Sequence, residues 1–89
     1  MIKKFKVTSE NGIHARPASK LVGIAMEFES EIYLTAFNKS VNLKSIMGVL
    51  SLGIYSGEII EIKAEGLDQV TALNKISNFI INEGIGEIK

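Results

Sequence analysis

The chain has 89 residues, 46% of them hydrophobic and 22% charged, with a single proline, which is the makeup of one ordinary globular domain over 1–89 and not of a disordered segment. It has no cysteine, which excludes disulfide scaffolds, thiol nucleophiles and cysteine-ligated metal sites, and its lone histidine, His14, excludes a two-histidine site within one chain. Ten Lys+Arg balance ten Asp+Glu, so bulk charge gives no reason to expect a nucleic-acid or anionic-membrane binder.

In chain order, Lys4 to Thr8 alternates polar and apolar, with Phe5 and Val7 on one side, as a half-buried strand does. Asn11-Gly12 marks a turn. From Pro17 the period changes: Ala18, Leu21, Val22, Ala25 and Met26 fall at the three-and-four spacing of an amphipathic helix ending near Phe28. Pro17 suits a first helical turn, where its fixed φ is already helical and its missing N–H is not needed. Glu31 to Phe37 alternates again, and Asn38-Lys39 turns the chain into a short strand from Ser40 to Leu43. Ser45 stands in N-cap position before a short apolar helix, Ile46 to Leu52. Glu58 to Ala64 reads as the last strand. Asp68 then stands where it can cap a helix from Gln69 to Glu83, with Val70, Leu73, Ile76, Ser77 and Ile80 on one face. Gly84-Ile85 fits a left-handed C-terminal cap with its hydrophobic contact.

The order βαββαβα, with short strands and three one-faced helices, predicts an α+β two-layer sandwich: an antiparallel sheet with all helices on one side and the other side solvated. The longest nearly apolar run, Ile46 to Tyr55, is far short of the roughly 20 residues that span a bilayer, and Met1 to Lys6 lacks the apolar core of a signal peptide. A small soluble protein of the cytoplasm is expected.

Chemistry concentrates in Asn11-Gly12-Ile13-His14-Ala15-Arg16-Pro17-Ala18, which sets an imidazole at a helix entry and a guanidinium two residues later. The first N–H groups of a helix have no intrahelical partners and carry roughly half a positive charge in sum. With Arg16 they make an anion site around the ring of His14, suited to holding a phosphoryl group on a ring nitrogen. Taken singly, each residue has a plainer role: a lone histidine near a helix start is more often a surface residue, and Asn-Gly is usually only a turn. The second feature is Asn42 to Gly53. Ser45 is in the first place a helix cap, and a phosphate there would sit at a favourable helix N-terminus beside Ile46, Met47 and Leu50. No clustered carboxylates or nucleotide fingerprint accompany these motifs, and no metal or cofactor is expected.

Together the two motifs make the chain resemble the HPr family, the histidine-containing phosphocarriers of the bacterial phosphoenolpyruvate-dependent sugar phosphotransferase system. The resemblance runs from Phe5-Lys6-Val7 to Gly84-Ile85-Gly86-Glu87, and the Ser45 segment has the form typical of low-GC Gram-positive bacteria. It implies a four-stranded sheet of order 1-4-2-3. It implies that enzyme I passes a phosphoryl group to Nδ1 of His14, which hands it to sugar-specific enzyme IIA domains, with Arg16 supporting the group and Asn11, Ala15 and Pro17 shaping its site. By the same resemblance Ser45 is modified by HPr kinase/phosphorylase, and the phosphoserine form serves a catabolite control protein. Ala18, Ser19, Ile46, Met47 and Leu50 would then meet partners. Such a protein is a stoichiometric carrier, not an enzyme, and is expected as a monomer.

Gly23, Met26 and Tyr55 depart from the polar or basic residues that other members often carry near the partner-facing surface. Competing readings are a purely regulatory module acting through Ser45 alone, a nitrogen-system paralogue, and an RNA-binding domain using Tyr33 and Phe37. The last lacks the basic surroundings that a stacking platform needs.

Overall fold

Apolar residues at every second position give each strand one face that must leave water, and strand pairing sets those faces side by side. In a computed structural model describing Met1–Lys89, the elements are β1 (Ile2–Val7), α1 (Ala15–Ala25), β2 (Glu31–Ala36), β3 (Lys39–Asn42), α2 (Ile46–Ser51), β4 (Ile59–Glu65), α3 (Gln69–Asn82) and β5 (Gly86–Ile88). All pairings are antiparallel, in the order β3-β2-β4-β1-β5. The register sets Phe5 opposite Ile60, and Leu34 opposite Ile62, so the buried positions of neighbouring strands coincide. The core they share with the helices is one continuous cluster, including Leu21, Leu43, Leu73, Ile76 and Ile80.

The expected α+β open-faced sandwich is present, and its first four strands keep the order 1-4-2-3. The sheet has a fifth strand, however. Gly86–Ile88 pairs with the outer edge of β1, where the sequence reading ended the fold at α3. Three residues led by a glycine are too few to show alternation, so this strand is specified by the free edge beside it.

Helix ends account for the other differences. α1 stops at Ala25, and the chain tightens through bonds from Glu27 N–H to Ile24 O and from Phe28 N–H to Ala25 O. The Lys44 ammonium also donates to Phe28 O at 2.7 Å. Met26, placed on the apolar stripe by spacing, stands beyond the end of α1 and is exposed; Val70, in the first turn of α3, is exposed as well. Asp68 precedes α3 but does not cap it with its side chain. Its carboxylate instead accepts the N–H groups of Glu29 and Ser30, both at 2.9 Å, and the Ser30 hydroxyl. The far end of α3 follows expectation: Gly84 has φ +68°, Gly84 N–H reaches Ile81 O, and Ile85 N–H reaches Ile80 O at 3.0 Å. Those two bonds are the paired closure of a left-handed helix cap, with Ile85 buried against the core.

Candidate functional site

The loop after β1 fixes where α1 begins. A turn closes from Gly12 N–H to Ser9 O at 3.0 Å, and Ile13 N–H then bonds Ile54 O at 3.0 Å. Gly12 has φ +63°, and a Cβ there would collide with the Ile54 carbonyl and the Tyr55 backbone. Only glycine lets the two loops approach this closely. With Ile13 buried, His14 emerges exposed as the N-cap residue of α1, with extended backbone at φ −94°, ψ −171°.

His14 O accepts the N–H of Ala18 at 3.0 Å, but no side chain caps the helix. Pro17, third in the helix, has no N–H to offer. The N–H groups of Ala15 and Arg16, at the first two helical positions, lie beyond the reach of intrahelical bonding and remain as open donors beside the imidazole. α1 carries no acidic residue in its first turn, and Arg16 pairs with no carboxylate. The positive end of the helix and the guanidinium are therefore both uncommitted.

Two clefts meet at His14. One, of about 270 Å³, runs between α1 and the end of α3, from Ser9, His14, Arg16 and Lys20 to Phe79, Glu83 and Ile85. The other, shallower, is bounded by His14, Ala15, Arg16, Ser19 and Lys20. The structure thus gathers His14, Ala15, Arg16, Pro17 and Ser19 around one point. Asn11 is exposed in the turn before it, where the closing bond is made by backbone. Ala18 is a correction: its side chain is fully buried in the core, so it packs α1 and cannot meet a partner. Sequence reasoning missed Lys20, Phe79 and Glu83. Lys20 was within reach of the helical period, four residues after Arg16, whereas Phe79 and Glu83 come from α3, which no local pattern brings to His14.

Ser45 belongs to a separate place. Its Oγ accepts Gly48 N–H at 3.1 Å, the N-cap that the sequence reading assigned. The approach is set by Asn42, whose Oδ1 accepts Lys44 N–H at 2.8 Å and whose carbonyl accepts Ser45 N–H at 3.0 Å. Ile46 is half-buried against the core, while Met47, 76% exposed, and Leu50 lie open. α2 packs on α1, but neither cleft at His14 includes a residue of the Ser45 segment.

The family model for the phosphorylation site of the HPr component of the phosphotransferase system matches residues 1–82. The chain belongs to the HPr family. Among solved structures it is similar to the histidine-containing phosphocarrier protein of Mycoplasma, at 37% identity and TM-score 0.94 over 97% of this chain and 98% of that one. It is similar also to the phosphocarrier protein HPr of Bacillus anthracis, at 39% identity and TM-score 0.83 over 89% and 94%. A third likeness is to Crh, the catabolite-repression protein of Bacillus subtilis in a domain-swapped dimer, at 36% identity and TM-score 0.74 over 90% and 92%. Membership in the HPr family carries a phosphocarrier role in the phosphotransferase system. No helix is long and apolar enough to cross a membrane.

Proposed function

We propose that this chain accepts a phosphoryl group from phospho-enzyme I on Nδ1 of His14 and passes it to sugar-specific enzyme IIA domains, working in the cytoplasm as a monomeric, stoichiometric carrier and not as an enzyme. The observation that carries this reading is the open start of α1: an exposed imidazole beside two unused N–H groups and an unpaired Arg16. Phosphoryl transfer asks a protein mainly for positioning and charge stabilisation, and both are present before any phosphate arrives. As the bond from phosphorus to its donor atom breaks, a P–N bond forms to the ring, and the three oxygens meet the helix donors and the guanidinium.

A second reading rests on Ser45. A dianion on its Oγ would lie at the start of α2, where negative charge is favoured, so the fold would survive the modification. It would also place two negative charges beside exposed Met47 and Leu50, repelling one partner and offering an arginine-rich one a handle. The likeness to Crh, a catabolite-repression protein, supports a regulatory role; the agents of this reading are HPr kinase/phosphorylase and a catabolite control protein.

Intact mass spectrometry after incubation with enzyme I and phosphoenolpyruvate tests the carrier reading. One acid-labile phosphoryl group is expected on the chain and none on His14→Ala. An uncharged wild-type chain, under conditions that load another HPr, would discard the carrier and leave a module acting through Ser45 alone.

A further inference from the structure

Arg16 and Lys20 stand four residues apart on α1, a spacing that sets two side chains on one face of a helix. Both line each of the two clefts that meet at His14. Neither is committed elsewhere, because the ion pairs of the molecule are Lys63–Glu65 and Lys75–Glu27. The opposite side of α1, from Ala18 through Leu21 and Val22 to Ala25, is locked in the core, so the backbone that carries Lys20 is rigid relative to His14. Across the narrower cleft stands one opposing charge, Glu83 at the end of α3.

We propose that Lys20 is a second phosphoryl-contacting cation of this site, acting beside Arg16 on the dianion carried by His14. The inference takes its ligand from the carrier reading above and its geometry from α1 and the cleft it forms with the end of α3. A lysine here adds a mobile point charge to the planar donor set of the guanidinium. It can follow the phosphoryl oxygens out of the cleft as they leave for an acceptor, while Arg16 and the helix amides hold the group in place. Glu83 opposes both cations, which keeps the product from being held too tightly to pass on.

The test needs no partner protein. Phosphoramidate loads imidazoles chemically: a ring nitrogen bonds phosphorus, the P–N bond to the donor breaks, and ammonia leaves with the ring proton. The second ionisation of the phosphohistidine is then followed by 31P NMR against pH. A nearby cation favours the dianion, so Lys20→Gln should raise that pKa by about 0.5, a threefold change of the size expected for an exposed charge pair. Lys20→Arg should titrate as wild type, and Glu83→Gln should move the opposite way. About 1 M salt should erase the difference, since exposed charges are screened there within a few ångströms. Lys39→Gln, on β3 and outside both clefts, is the control that should not move.

A Lys20→Gln chain titrating as wild type would overturn the proposal. So would an effect seen only as a raised KM for transfer from enzyme I, which would make Lys20 a docking residue. A chemically loaded wild-type chain that shows the Lys20 effect yet passes nothing to an enzyme IIA domain would sink the carrier reading and leave this one standing. A chain whose His14 takes no phosphoryl group from phosphoramidate would remove both.

Discussion

Ser45 holds a structural position whatever chemistry its hydroxyl serves. Its hydroxyl oxygen satisfies Gly48 N–H, one of the donors that α2 leaves open, and α2 has only six residues over which to spread the cost of an uncapped start. Ser45→Ala should cost about 1 kcal/mol, lowering Tm by about 4–8 °C in a domain of this size. Thermal denaturation by circular dichroism checks it, and an unchanged Tm would mean that the cap contributes nothing. Ser45→Asp keeps an acceptor and adds charge at the favourable helix end, so it should recover the loss. The two residues to which the proposed function assigns phosphate thus both occupy N-cap positions, and they differ in one respect: the Ser45 side chain is tied into its helix, whereas the His14 side chain is not.

At the scale of elements, the connection before α3 is held by a carboxylate reaching across 38 residues of sequence. The Ser30 hydroxyl, with the N–H groups of Glu29 and Ser30, holds the Asp68 carboxyl below the usual carboxylate range. A group whose pKa is depressed by folding stabilises the fold fully above its unfolded value, near 3.9, and loses that contribution as pH falls toward the folded one. Asp68→Asn should therefore melt below wild type at pH 7, and the gap should close as the pH is taken below about 4. A gap of equal size at pH 7 and pH 2.5 would assign the loss to packing instead. This is also where local reading of the sequence met its limit. Asp68 before an apolar stripe has the pattern of a cap, and Ser45 before another has the same pattern, yet only Ser45 caps with its side chain. What separates them is Ser30, a buried hydroxyl that comes from a distant turn and needs a partner. Gly66 permits that approach, since a Cβ there would lie 2.6 Å from Ser30 Oγ.

For the molecule as a whole, the element order, the two-layer sandwich and the place of the His14 motif were legible because alternation, helical period and turn residues agreed from Phe5 to Ile80, whereas the order of the first four strands followed from the family resemblance. β5 was not legible, since its three residues are defined by an edge and not by a pattern. Its role is nonetheless global. It covers the outer side of β1, and Ile85 O just ahead of it accepts the N–H groups of both Thr8 and Ser9, where β1 gives way to the His14 loop. Gly86 is the point of closest approach, because a Cβ there would lie 2.6 Å from Lys6 O. Gly86→Val should push β5 from the edge, lowering Tm and exposing the Thr8 and Ser9 amides to exchange. Hydrogen exchange read by NMR checks it: unchanged protection of those two amides would show that the strand does not anchor the loop. A sheet edge closed in this way also leaves fewer unpaired groups for another chain to join.

The vacant start of α1 has a consequence for how sequence and selection bear on this protein. His14 already has the extended backbone of a good N-cap residue, and an imidazole is a poor occupant of that position. Serine there could accept Arg16 N–H and close the helix, so His14→Ser should be more stable than wild type by about 1 kcal/mol, measured by urea unfolding at pH 7. The residue to which the carrier reading assigns the phosphoryl group is then one that a search for stability would replace first. Consensus or computational redesign scored on melting temperature alone would drift toward a tougher protein that carries nothing, and position 14 should be held fixed in any such effort.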